Sequence, residues 1–183
     1  MNSANFKRAM AAELPIRLLV PGDAAAYKTL RDDMLAAYPD AFTSDAQADL
    51  SKPASSYISR FATSDGDPAR FSVGAWLGPQ LVGAISCERD TRLKVQHIAR
   101  IVGMMVRPEA QGQGIGRGLL RACIAGARAV REIEMLTLSV TSTNGPAIAL
   151  YEGAGFIRYG QLSRAIKIGD AYFHKDQMVL TFK

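Results

Sequence analysis

Apolar positions along this chain alternate in some stretches and recur every three or four residues in others, and the two periods divide it into strands and helices. "IRLLV" (16–20) is a short apolar run and predicts a first strand. In "PGDAAAYKTLRDDMLAAYPDAF", Tyr27, Leu30, Met34 and Leu35 recur at helical spacing. Asp23 stands where an N-cap belongs, and Pro39 where the helix must stop. A second short helix is expected at 55–61 and a loop at 64–69. "RFSVGAWL" and "QLVGAISCE" flank Gly78 and Pro79 as a hairpin, with Gly74 and Gly83 weakening its strands. "HIARIVGMMV" (97–106) is apolar almost throughout, which predicts a central strand covered on both faces and ended by Pro108.

A helix over 116–130 follows, with Leu119, Leu120, Cys123, Ile124, Ala127 and Val130 on one side. "EMLTLSV" alternates as a strand, and "NGPAIALYEGAG" reads as a short helix capped by Asn144, with Pro146 in its first turn and Gly155 closing it. Residues 156–182 form a closing hairpin about Gly169 and Asp170. The order β-α-α-β-β-β-α-β-α-β-β mixes hairpins with strand-helix-strand units. It predicts an α/β (α+β) fold: a single mixed, mostly antiparallel sheet of about six or seven strands with helices on both faces. One domain over 1–183 is expected, with 1–14 as a flexible N-terminal extension.

Composition changes this picture little. Of the 183 residues, 48% are hydrophobic and 21% charged, as in an ordinary globular protein. No apolar run is long enough to cross a bilayer, and the N-terminus lacks a signal-peptide core, so the expectation is a cytoplasmic protein without a membrane partner. Cys87 and Cys123 lie in apolar surroundings and read as buried thiols. With no C-x-x-C pair and only His97 and His174, no metal site is expected. The net charge of +5 is spread along the chain, and the nearest thing to a cluster is Arg117, Arg121, Arg128 and Arg131. No dense basic run or interleaved aromatics mark a nucleic-acid binder.

Candidate chemistry begins at "PEAQGQGIGRGLL", where Gly112, Gly114, Gly116 and Gly118 alternate between a strand and a helix. The first N–H groups of a helix lack internal partners, and its dipole is positive at that end. Glycines there let an anion approach bare backbone, which suits a di- or triphosphate. The phosphate loop with Gly-Lys-Ser/Thr is absent. The dinucleotide pattern fails because Arg117 or Leu119 stands at its third glycine. A second constellation lies at Asn144 and Tyr151, two helical turns apart and on one face. A tyrosine hydroxyl there could protonate a departing thiolate. Plain capping by Asn144 and plain packing by Tyr151 are the competing readings.

Together these stretches resemble the GCN5-related N-acetyltransferases. That family's Gln/Arg-x-x-Gly-x-Gly/Ala signature is matched by Gln111, Gly112, Gln113, Gly114, Ile115 and Gly116, after Val106, Arg107 and Pro108. Its later motif is matched by Asn144, Ala147, Leu150, Tyr151, Glu152, Gly155 and Phe156. The resemblance implies acetyl-CoA as cosubstrate and direct transfer of acetyl to a primary amine of a small molecule or protein. It implies that the strand ending at Val106 splays from the next strand near Leu138. The backbone of Met104, Met105 and Val106 would then pair with the pantetheine amides. The N–H groups from Gln111 to Arg117 would hold the pyrophosphate, Asn144 would touch the cofactor arm and Tyr151 would face the sulfur.

For the general base, family members acting on protein N-termini carry Glu where this chain has Ser139. Glu88 is the candidate here, with His97 or a water relay as alternatives. The acceptor side is expected around 38–43, the loop before Arg70 and the final hairpin, with Tyr38, Phe42 and Phe173 lending apolar character. Rival functions are a catalytically inactive acyl-CoA-binding sensor or scaffold and, less favoured, a nucleic-acid binder. A homodimer is compatible with the sequence, and the acceptor is left open.

Overall fold

The structure, a computed structural model, describes residues 15–62 and 66–182. The expected N-terminal extension and part of the 64–69 loop lie outside the described residues. The elements run β1 (Ile16–Leu18), α1 (Ala24–Ala37), α2 (Ala46–Leu50), a 3-10 segment (Ala54–Arg60), β2 (Phe71–Leu77), β3 (Gln80–Arg89), β4 (Ile98–Val106), α3 (Ile115–Arg128), β5 (Met135–Thr141), α4 (Gly145–Glu152), β6 (Ile157–Ile168) and β7 (Ala171–Thr181). They build the seven-stranded mixed sheet that the pattern predicted, in the order β1-β2-β3-β4-β5-β7-β6. Every neighbouring pair is antiparallel except β4 and β5.

Strand alternation sends residues to two cores. On one face Ile85, Cys87, Ile101, Leu136, Leu138 and Val140 pack under the apolar stripe of α3, including Leu119, Leu120 and Cys123. Leu119, Leu120 and Cys123 are essentially inaccessible, and each such side chain contributes about 2 kcal/mol of apolar burial. On the opposite face α1 buries Tyr27, Leu30 and Met34 against Leu81, Ala84 and Met105, with Tyr57 and Phe61 of the 3-10 segment completing the layer. Cys87 and Cys123 are free, buried thiols, as expected.

Two local expectations are corrected, and one element is added. Asp23 does not cap α1; its carboxylate accepts from the Val20 N–H at 2.9 Å and from Arg17 at 2.7 and 2.8 Å, closing a 3-10 turn just before the helix. The short α2 went unforeseen. It has too few residues for a period, and its signal is Asp45, whose side chain accepts from Ala48 N–H at 2.8 Å. β4 is not covered on both faces: Ala99, Ile101 and Met105 are buried, but Arg100 is exposed and Val102, Gly103 and Met104 are only half-buried.

The small α2 matters because it carries Asp49 under α1. Asp49 and Arg31 form an almost fully buried pair at 2.5 Å, with Lys52 at 2.5 Å and the Tyr57 hydroxyl at 3.0 Å from the same carboxylate. Burial alone would raise the Asp49 pKa, yet the bonds from Lys52, Arg31 and Tyr57 bring it from 3.8 to about 2. The folded state therefore binds this proton more weakly than the unfolded chain does. The stabilisation is complete above about pH 4 and is lost as pH falls toward about 2.

Asp49→Ala is expected to cost about 3–5 kcal/mol, because it strands the Arg31 charge, read by urea denaturation at neutral pH. Asp49→Asn should flatten the fall in melting temperature between about pH 4 and 2, followed by circular dichroism. An acid limb unchanged in Asp49→Asn would show that the pair does not govern acid stability.

Candidate active site

The two parallel strands at the centre of the sheet separate. β4 and β5 pair only at Ile98–Met135, Ala99–Leu136 and Arg100–Thr137. Beyond Arg100 the edge of β4 that faces β5 has no strand beside it. A bulge assists the divergence. Ala84 pairs with Met105 and Ser86 with Val102, so β4 carries one residue more than β3 across this interval. Gly103 sits in the bulge with φ +60°, a conformation that side chains other than glycine resist. The Tyr27 hydroxyl is buried without a hydrogen-bond partner among the described residues, and it lies 3.4 Å from where a Cβ on Gly103 would stand.

The gap is a cleft of about 530 Å³. Val102, Gly103 and Met104 line one wall, Leu138 to Thr141 the other, and Asn144, Ala147 and Tyr151 of the α4 region close one side. Thr141 donates its hydroxyl to Asp40 O at 2.6 Å, which ties the 38–43 loop over the end of β5.

The glycine loop stands where β4 hands over to α3. Gly112 and Gly114 take φ of +73° and +81°, and Gly114 is the N-cap of α3 with no capping side chain. Backbone bonds run from Gln111 N–H to Pro108 O and resume with Gly118 N–H to Gly114 O. The N–H groups of Gly112 to Arg117 have no partner among the described residues. A Cβ on Gly112 or Gly114 would meet open space, whereas one on Gly116 would stand 3.3 Å from Met104 and 3.4 Å from Leu150. Ile115 is buried and anchors the helix start. The Gln111 side chain turns back to Val106 O at 3.0 Å and Tyr38 at 3.3 Å, and Gln113 bonds Glu109 O at 3.0 Å. Their amides are thus engaged with the protein, leaving backbone as the exposed polar surface. Arg117 and Arg121 are exposed beside the loop, while Arg128 stacks on Phe182 at the far end of α3.

Asn144 does cap α4, accepting from Ala147 N–H at 3.1 Å, and it also lines the cleft, with its amide NH₂ left over. The Tyr151 ring packs edge-on to Phe156 at 5.9 Å. Burial pushes its phenol above the ordinary value, with a smaller push from Cys123 in the same direction. The phenol therefore keeps its proton at any physiological pH. Cys123 is raised as well, first by its hydrogen bond with Cys87 and then by burial, so its thiol is not a ready nucleophile.

Glu88 reaches the same cleft from β3, opposite Arg100 on β4. It lies between two guanidinium groups, Arg60 at 3.5 Å and Arg100 at 4.0 Å. His97 is not among the cleft residues, nor are Tyr38 and Phe173, whereas Ala41, Phe42 and Thr43 are. The structure also brings in residues that the sequence reading did not single out: Arg31, Arg60, Arg100, Lys175 and Gln177. Alternation about Lys175 and Gln177 on the final hairpin was the available signal. Arg31 and Arg60 carry none without the packing of α1. Among the described residues no group of three His, Cys, Asp or Glu could hold a metal, and no helix is long and apolar enough to span a membrane.

The fold is that of a known enzyme family. The model of the acetyltransferase (GNAT) family matches residues 27–156, and the chain belongs to that family. Among curated relatives, human N-alpha-acetyltransferase 30 is 32% identical over 116 residues, 63% of this chain and 31% of that protein. The chain thus spans about a third of the length of that relative. Among solved structures, a GNAT acetyltransferase from Streptococcus pneumoniae superposes with a TM-score of 0.81 at 23% identity, covering 93% of this chain and all of the other. The Salmonella typhimurium acetyltransferase yncA, solved with its cofactor acetyl-CoA, gives a TM-score of 0.74 at 18% identity, over 94% of this chain and 95% of that one.

Gly114→Ala tests the loop geometry apart from any ligand. With no clash in prospect, the left-handed backbone alone should cost about 1 kcal/mol, seen in chemical denaturation. An unchanged stability would mean that the loop adopts another conformation in solution.

Proposed function

We propose that this chain, acting as a single domain, transfers an acetyl group from acetyl-CoA to a primary amine in a ternary complex. The observation that carries the reading is the break in the β4–β5 ladder, which opens onto unpartnered N–H groups at one end and a protonated phenol within. The unpaired edge of Met104, Met105 and Val106 suits the amides of the pantetheine arm, as an added strand would. The unpartnered N–H groups of Gly112, Gln113, Gly114, Ile115, Gly116 and Arg117 suit the pyrophosphate at a helix N-terminus, whereas the Gln111 N–H, expected to join them, is spent on Pro108 O. Asn144 suits a polar group of the same arm. Family membership and the acetyl-CoA found with yncA support this donor. The cytoplasm, where coenzyme A is made available to such enzymes, is the proposed location.

In the proposed reaction the amine nitrogen bonds to the thioester carbonyl carbon, and the carbon–sulfur bond then breaks. A backbone N–H of β4 steadies the oxyanion. The Tyr151 proton passes to the departing sulfur, Glu88 takes the ammonium proton through water before attack, and the proton that the nitrogen sheds as the amide forms returns through water to the Tyr151 phenolate. Holding both reactants in one cleft supplies much of the rate. The N-alpha-acetyltransferase activity for which the human relative is named favours N-terminal amines as acceptors. Ser139 stands on the cleft wall and accepts from Gln177 at 3.2 Å, so this wall lacks the carboxylate of some N-terminal acetyltransferases.

Acetyl-CoA, but not NAD or ATP, should raise the melting temperature of the protein. Tyr151→Phe, which keeps the ring and its packing, should lower kcat about 100-fold with little change in KM for acetyl-CoA. Because burial raises this phenol, the wild-type kcat should show no alkaline limb from it below about pH 10. Acetyl-CoA binding with full turnover in Tyr151→Phe would remove the tyrosine from the mechanism, and binding without turnover on any amine would favour a sensor.

A further inference from the structure

The acceptor end of the cleft carries more positive charge than the chemistry of acetyl transfer needs. Alternation places Arg100, Thr137, Ser139 and Thr141 on the face of the sheet that α1 covers, with Gln177 and Lys175 paired to Ser139 and Thr141. Arg31 from α1 and Arg60 from the 3-10 segment line the same cavity. Arg31 is committed to Asp49 at 2.5 Å and to the Ser44 hydroxyl at 2.7 Å. Arg60 and Arg100 share one carboxylate, Glu88, at 3.5 and 4.0 Å. Those separations are at or beyond the limit of a hydrogen bond, so both guanidiniums keep unspent donors.

Lys175 is the exception that decides the matter. It is only 8% exposed, lines the cavity and has no ion-pair or hydrogen-bond partner among the described residues. Its neighbour Asp176 points away, to Ser142 at 2.8 Å, Gln161 at 2.9 Å and Arg158 at 3.3 Å. Burial alone pushes the Lys175 ammonium below its ordinary value, the signature of a cation with nothing opposite it. The Lys175 stem is covered, while its ammonium is not among the fully buried unpaired atoms and opens into the cavity, where an anion of a ligand can reach it.

We propose that this end of the cleft is a subsite for a carboxylate carried by the acceptor itself, received by Lys175 with Arg100 and Arg60. The proposal rests on the acetyltransferase reading above and names its substrate class: amines that bear a carboxylate a few atoms from the nitrogen. The arrangement fits a zwitterion. Glu88 faces the ammonium, and the surplus cations face the acid. The carboxylate can come from a free amino acid or from an acidic side chain near a peptide N-terminus, and the chemistry shared by the two is what the subsite reads.

The test is steady-state kinetics with matched amine pairs at saturating acetyl-CoA: leucine against leucinamide, and the tripeptide amide Ala-Glu-Leu against Ala-Gln-Leu. The wild-type protein should favour the carboxylate member of at least one pair by about tenfold or more in kcat/KM. Which pair responds tells the amino acid from the acidic peptide. Lys175→Met should abolish that preference through KM for the amine, leaving KM for acetyl-CoA unchanged. Arg100→Gln, at an exposed position, should weaken it without touching the core. Equal kcat/KM within both pairs, or a preference that survives in both variants, would overturn the subsite while leaving the acetyltransferase intact. No stabilisation by acetyl-CoA and no coenzyme A release with any amine would instead defeat the acetyltransferase reading.

Discussion

Parallel pairing of β4 with β5 stops after three residues on each strand, and the rest of the site depends on that interruption. A sheet ordinarily satisfies each interior backbone group with its neighbour. Here one edge of β4 is left without a strand in the middle of the molecule. An extended ligand with amide groups can complete it, and a side chain cannot follow it as closely. The bulge at Gly103 turns β4 away, Leu138 to Thr141 of β5 form the opposite wall, and the α4 region closes one side. The bare N–H groups of the loop after β4 then stand beyond that edge, toward solvent. The two features lie at the same end of β4, separated by the turn at Pro108–Ala110, whose neighbouring N–H groups at Arg107, Ala110 and Gln111 are bonded within the protein.

Charge is distributed along the loop and cleft in a graded way. The loop end offers helix N–H groups and the exposed Arg117 and Arg121, a setting for phosphate. The middle is neutral, with the Tyr151 phenol kept protonated by its burial. The far end gathers cations around a single carboxylate, Glu88. Arg31 illustrates how the structure manages such density. The buried Asp49 fixes the Arg31 charge, so part of the lining is stabilised before any ligand arrives.

The sequence made the sheet and the loop legible because both depend on local pattern. Strand alternation, the two-residue turns after Leu77 and Ile168 and the spaced glycines are all written in short windows. The features that could not be read depend on contacts between distant residues. Arg31 and Asp49 are 18 positions apart, and nothing in either neighbourhood marks them as partners. The openness of one face of β4 was hidden because Val102, Gly103 and Met104 are as apolar as core residues, while their partner in the fold is a cavity. Glu88 was found at the cleft, but its two arginine neighbours arrive from a 3-10 segment and from the next strand. Asn144 shows both candidate readings to be compatible, since one amide caps the helix with its oxygen and keeps its NH₂ for the cleft.

Among the described residues, the junction of β4 and β5 is also the sole strand-to-strand seam between two leaves of the sheet, β1 to β4 on one side and β5, β7 and β6 on the other. Each leaf is knit by long antiparallel ladders of its own, while the seam is three residues deep. Residues that wedge the leaves apart, rather than those that touch a substrate, therefore control the breadth of the opening. Descendants of such a chain could accommodate bulkier cargo by repacking α1 or α4 against their leaf, with every ladder intact.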